Sequence, residues 1–323
     1  MWIRPSDPVD ARRLTRTGYT LMELLIALTI GAFVLSAAIS FLITQLRTLE
    51  GSDIRDEVAR NARYIGISLR RDVQTAGIEI TSTTRFGTMT VWSGSPGDTL
   101  VMLHVPSNPE PAPAHDIAPE PGTDNPLPAG GTCGERCIDV VTDPEVPLEL
   151  QVGDLARLQV AEERRLILIE TIEETTDTSV AITWNDADSL LRQPAGLTGG
   201  LRLDRYGTYV QKLQPIIYYL NEGGFLMRAV RLNMDGSPDG WVLAFNVQNF
   251  DASLIFSDGD VLDEANPYDS DDSNDYDDIM GVRIVATVEA DRADPRVNQG
   301  ELIRKTFEWK IAPRNLRYEK NRY

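Results

Sequence analysis

The sequence predicts an α+β chain: one long N-terminal helix, half of it apolar and half amphipathic, packed on a β-rich antiparallel head. Three observations predict it. Twenty consecutive residues, Leu24 to Ile43, carry no charge. Apolar residues then recur every three or four positions from Ile54 to Ala76, which is a helical period. From Phe86 onward, short runs rich in β-branched and aromatic residues alternate with turn residues, and no long helical period returns.

Composition bounds the reading. With 323 residues, 42% hydrophobic and 25% charged, the chain has the make-up of a folded protein, with one membrane element and one or two globular lobes. A formal charge of −18 excludes a general phosphate binder, because counterion release needs clustered Lys and Arg on the binding face. Nucleic acid is therefore not expected as a partner of the body.

Residues 1–18 set Arg4, Arg12, Arg13 and Arg16 against Asp7 and Asp10 and end at Gly18, immediately before the apolar run. They form a short basic leader. At about 1.5 Å rise per residue, twenty uncharged residues span a hydrocarbon core of roughly 30 Å, so the segment is a transmembrane helix. The arginines before it and the acidic bulk after it place the leader in the cytoplasm and the body outside. A secretory signal would be cut after its apolar run, whereas the small residue here precedes it, so cleavage at Gly18 leaves the anchor on the mature chain. Glu23 stands one position before the uncharged stretch. A carboxylate entering hydrocarbon costs several kcal/mol unless it is paired, which marks it as functional, while the helix macrodipole offers an equally good account of a negative charge at this end.

The string Arg16-Thr17-Gly18-Tyr19-Thr20-Leu21-Met22-Glu23, followed by Leu24-Leu25-Ile26-Ala27-Leu28, resembles the prepilin cleavage and methylation motif of type IV pilins and type II secretion pseudopilins. The resemblance implies that prepilin peptidase cuts after Gly18 and methylates the new amino group of Tyr19. It implies that Glu23 meets an N-terminal ammonium during filament assembly. Tyr19 replaces the more usual Phe and keeps the ring. The proline that many major pilins carry in this half of the helix is missing, and Gly31 stands within the apolar run.

Past Arg47, the residues Ile54, Val58, Ala62, Ile65, Leu69, Val73 and Ala76 line one face. Asp53, Arg55, Asp56, Glu57, Arg60, Arg63, Arg70, Arg71 and Asp72 lie between them, mixed in sign as on a solvated face, and no site is read there. Gly77 is a helix stop. The domains are then a leader (1–18), a membrane and assembly helix (19–46), an amphipathic helix (47–77) and a β-rich head (78–323). The helix end, Ala59 to Tyr64 and Leu69 to Gly77, resembles PilW-type minor pilins, with GspJ-type pseudopilins similar here. So do Ile216 to Leu220, Leu226 to Arg228 and Asp278 to Ile284.

Strands are expected at Thr99–Val105, Leu155–Val160, Leu166–Ile172, Ser179–Trp184, Ile216–Leu220, Phe225–Leu232, Trp241–Val247, Ala252–Phe256, Val282–Val288 and Leu302–Lys310. The proline-rich stretch 106–131 reads as a surface loop without regular structure. His104 and His115, the only histidines, flank or occupy it and neighbour no Ser or Cys nucleophile in a known motif, so no catalytic residues are assigned. Cys133 and Cys137, with three residues between them, permit a small disulfide in an oxidising compartment, or stand as two thiols.

In the acidic segment 258–278, Asp269, Asp271, Ser273, Asp275 and Asp277 alternate, and oxygen ligands at every second position can wrap Ca²⁺. The EF-hand pattern fails at Asn274, where its glycine belongs, and at Met280, where a closing Glu belongs. A solvated acidic loop is the plainer reading, with a weak Ca²⁺ site as the alternative and no other cofactor.

The resemblance implies a structural subunit rather than an enzyme: a minor pilin that joins or primes a type IV pilus, held in the inner membrane with its C-terminus outside and then carried to the pilus or cell surface. Prepilin peptidase and other pilins, met through the N-terminal helix, are its implied partners. A GspJ-like pseudopilin of a type II secretion system shares the anchor and differs in partners. A membrane-tethered binding or hydrolase domain is the alternative of another class, and it requires that residues 1–18 stay on the chain.

Overall fold

The structure, a computed structural model, describes residues 19–107, 110–118, 133, 136–143, 145–160, 163–191, 208–293 and 298–315. The leader 1–18, with Gly18, and most of the proline-rich stretch lie outside the described residues. The chain divides into two compact units, one ending at Asp53 and one beginning at Ile54.

Helix α1 runs Leu21–Thr75. In the first unit its apolar side chains, among them Leu24, Phe33, Leu42 and Leu46, are exposed, and its most apolar window has mean hydropathy 2.4 with none of it buried. Threonine hydroxyls along it turn inward: Thr29 Oγ1 donates to the Ile26 carbonyl and Thr44 Oγ1 to that of Ser40, at 2.9 Å each. Such bonds pair these donors within the helix itself.

In the second unit the apolar stripe is the core. Ile54, Val58, Ala62, Ile65, Leu69, Val73 and Ala76 are all 2% exposed or less. The helix stops at Thr75 because Gly77 takes φ +78° and its N–H turns to the Leu103 carbonyl of the second strand, 2.9 Å away.

The strands among the described residues are β1 (Met89–Trp92), β2 (Thr99–His104), β3 (Ala114–Ala118), β4 (Cys137–Val141), β5 (Leu155–Val160), β6 (Glu163–Thr176), β7 (Ser179–Asp186), β8 (Tyr209–Leu220), β9 (Leu226–Leu232), β10 (Pro238–Ala244), β11 (Val247–Phe256), β12 (Val261–Leu262), β13 (Ile279–Glu289) and β14 (Arg304–Ile311). Every pairing is antiparallel.

β8 is the spine, because its two halves have different neighbours. Gln214–Leu220 lies between β2 and β9, giving the order β1-β2-β8-β9-β10. Tyr209–Leu213 lies between β3 and β5, and the ring β8-β3-β4-β7-β6-β5 returns to β8, closing a six-stranded barrel. A barrel this small is filled by its own side chains. Ile138, Val140, Leu158, Ile169, Ile182, Trp184 and Val210 form that core, separate from the cluster around the helix. A four-stranded sheet, β12-β11-β13-β14, contributes Phe250, Leu254, Val282, Ile284 and Val288 to the helix core. Its Trp309 comes close to Gly66 of α1, where a Cβ would stand 2.5 Å from the indole nitrogen, so only glycine fits.

Three sequence readings are corrected. The proline-rich stretch is not wholly irregular, because the proline-free residues Ala114–Ala118 form β3 and bury His115. The run Trp241–Val247 is two strands, broken where Asn246 takes φ +56°. Asp72 is not on a solvated face but 3% exposed.

Candidate processing and assembly site

The first described residues form a closed local motif. Thr20 precedes the first helical residue, and its N–H and hydroxyl both donate to Glu23 Oε2, at 2.9 and 3.0 Å. The Glu23 N–H donates back to Thr20 Oγ1 at 3.3 Å. This is a reciprocal capping box, which satisfies two helix-start donors that hydrocarbon would leave unpaired. Thr-x-x-Glu ahead of an apolar run is the sequence signal for it, and Thr20 was the residue the sequence reading missed. One carboxylate oxygen is thus held by the chain itself, while Glu23 Oε1 has no partner among the described residues. Tyr19 is 88% exposed. Tyr19, Thr20 and Glu23 therefore stand together at the open end of an apolar helix. Gly31 has nothing within 4 Å of where a Cβ would stand, so no contact within the described chain demands it.

The other predicted positions lie in the head. Cys133 and Cys137 are bonded to each other, at the entry to β4. The acidic residues of 269–277 serve local turns. Asp269 accepts from the side chains of Asn266 and Asn274 and from the Asp271 N–H, and Asp271 accepts from the N–H and hydroxyl of Ser273. Those bonds hold the Asp271 carboxyl below its ordinary value. Asp275 is 6% exposed, and burial, followed by the charges of Asp277, Asp272, Asp278 and Asp269, pushes it up to about 6. Among the described residues, no three His, Cys, Asp or Glu side chains converge as a metal-holding group.

A buried polar hub that the sequence did not announce joins α1 to the β8–β9 pair. Asp72 Oδ2 accepts from Tyr218 Oη and from Arg228 Nε, both at 2.6 Å, while Oδ1 accepts from Arg71 Nε at 3.1 Å. Tyr218 and Arg228 are register partners across β8 and β9, so they reach the helix from one side of the sheet. Burial pushes the Asp72 carboxyl up, but the bonds from Arg228, Tyr218 and Arg71 outweigh it and hold it below the usual aspartate value. The hub ties the helix to the sheet. A cavity of about 440 Å³ does lie elsewhere, lined by Arg136, Leu168, Asn185, Leu232, Met234 and Asp235 among others.

Comparison with curated proteins returns no match. Among solved structures, a type IV-like pilin from Thermus thermophilus is similar at 10% identity, over 80% of this chain and 96% of that one, with a TM-score of 0.34. The N-terminus gives the sharper result: residues 13–39, which include Gly18, Tyr19, Thr20 and Glu23, match the prokaryotic N-terminal methylation motif.

Proposed function

We propose that this chain is a pilin-like structural subunit, made as a precursor, cut after Gly18 by prepilin peptidase, methylated on Tyr19 and anchored by the first half of α1. The observation that carries the reading is the methylation motif at residues 13–39, set on an apolar helix whose side chains are exposed. Cleavage frees an ammonium at Tyr19. In hydrocarbon that charge needs a partner, and Glu23 Oε1 of a neighbouring subunit supplies one while Oε2 keeps its cap. Helices with Ala27, Gly31, Ala32, Ala37 and Ala38 can approach closely, which supports assembly through this segment.

Within that class the reading is a PilW-type minor pilin of a type IV pilus, held in the inner membrane before assembly and acting without an active site of its own. The helix end and the β8, β9 and β13 segments carry that resemblance. The large head, with its additional six-stranded barrel, suits a rare or tip position better than a repeated shaft position. Intact mass and N-terminal sequencing of the protein from membranes with and without prepilin peptidase test the class. A mature chain beginning at methylated Tyr19 only when the peptidase is present supports it, whereas retention of residues 1–18 would overturn it. Loss of surface filaments on deletion supports the pilus, and loss of a secreted enzyme supports a GspJ-like pseudopilin. Ca²⁺ binding by the loop 269–277 is a separate proposal, read from whether millimolar Ca²⁺ raises the melting temperature of the full chain.

A further inference from the structure

The exposed face of α1 within the head is unusual for so acidic a chain. Arg60, Arg63, Tyr64, Ile67, Arg70 and Arg71 all point to solvent, at helical spacing, over about 16 Å of helix. Tyr64 and Ile67 are 55% and 61% exposed, so the face is an apolar strip edged by four guanidinium groups. Among the described residues, Arg60, Arg63 and Arg70 have no carboxylate within ion-pair distance, and Arg71 pairs only with its neighbour Asp72. The face opposes the stripe that fills the core and, apart from the Arg71 bond to Asp72, does not serve to hold the head together.

A complementary surface exists on the same chain. Segment 258–278 holds ten carboxylates and no Lys or Arg. At its start the β11–β12 hairpin presents Asp258, Asp260 and Asp263 around Val261 and Leu262, which are 42% and 38% exposed on a two-residue edge strand. This is the same arrangement in the opposite sign: apolar residues edged by unbalanced charge. The hairpin does not serve its own helix, since none of its carboxylates pairs with Arg60, Arg63 or Arg70.

We propose that the Arg60–Arg71 face of one head receives the Asp258–Asp263 hairpin of a second copy of this chain. Charge complementarity selects the occupant. On a chain of net charge −18, the concentrated basic stripe and the concentrated acidic hairpin are opposite in sign and attract where they meet. The two surfaces differ, so the contact is heterologous rather than a two-fold one. The interface is independent of cleavage at Gly18 and is tested on the unprocessed full chain.

Two differently tagged copies of the full chain are co-solubilised in neutral detergent at low ionic strength, and capture of one by the other is measured. Wild type is expected to capture wild type, with capture falling as salt rises because the groups are exposed. Arg63→Glu with Arg70→Glu, or Asp260→Arg with Asp263→Arg, is expected to reduce self-capture about tenfold or more, since like charges then face each other. Mixing the two double variants is expected to restore it, and all should melt like wild type because the positions are exposed. Self-capture unchanged by either variant would overturn the proposal, as would failure of the mixture to recover. If Arg63→Glu with Arg70→Glu abolished binding to anionic phospholipid vesicles while self-capture persisted, the stripe would be a membrane surface and the proposal would be lost.

Discussion

Asp72 on α1 and Arg228 on β9, 156 residues apart in sequence, meet at 2.6 Å with side chains 4% and 12% exposed. A buried pair of this kind adds little over apolar packing but is costly to break from one side, because the remaining charge stays desolvated. Arg228→Ala is therefore expected to destabilise the protein by about 3 kcal/mol. Tyr218→Phe, which removes one hydrogen bond to the same carboxylate, should cost about 2 kcal/mol. Denaturant unfolding of the full chain in micelles measures both. A cost under about 0.5 kcal/mol for Arg228→Ala would show that water reaches the carboxylate.

The pH dependence of stability should have two arms of opposite sign. Asp72 has a folded-state value below its ordinary 3.8, so its contribution is complete above 3.8 and is lost as pH falls through the depressed value. Asp275 is raised from 3.8 to about 6, so its contribution is complete below 3.8 and is lost as pH rises through about 6. Melting temperature should rise as pH falls from 7 toward 4.5 and drop again below 3.8. Asp275→Asn should flatten the upper arm and Asp72→Asn the lower one.

Gly87 lies against the ring of Tyr276, which is fully buried and donates its hydroxyl to the Leu191 carbonyl at 2.5 Å. A Cβ at Gly87 would stand 2.6 Å from Tyr276 Cγ and 2.8 Å from its Cβ, the stiff root of the side chain. Gly87→Ala should cost about 2 kcal/mol by overpacking, and Gly236→Ala, where nothing lies within 4 Å, serves as a comparison limited to backbone strain. Thermal unfolding of the two variants separates clash from strain.

Thr20→Ala removes the cap on Glu23 and should cost the helix start about 1 kcal/mol. The readout is local: amide exchange at Leu21 to Leu24 in micelles should speed up about fivefold, while exchange in the head stays unchanged. Unchanged exchange at Leu21 to Leu24 would mean that Glu23 is held by something other than Thr20.

Much of the fold was legible because it rests on short-range periodicity. The seven apolar residues from Ile54 to Ala76 were named from spacing alone, and all seven are core. Leu155–Val160 was placed to the residue, and Leu166–Ile172 and Val282–Val288 fall inside the longer β6 and β13. β1, β4 and β12 were missed, being five residues or fewer. β3 was hidden by the prolines on either side of it. Of the candidate site, Tyr19 and Glu23 were named from the motif, while the cap that Thr20 makes with Glu23 was overlooked although its spacing was visible.

What local pattern carried, then, was the apolar helix, the amphipathic continuation, the β character of the head and the motif around Gly18, because each depends on neighbours within a few residues. Long-range pairing decided the rest. A charge such as Asp72 looks the same in sequence whether it faces water or a guanidinium, and only the meeting of α1 with β9 made it the buried one. Likewise β8 is one continuous strand, and which half closes a barrel and which half covers a helix depends on partners about a hundred residues away.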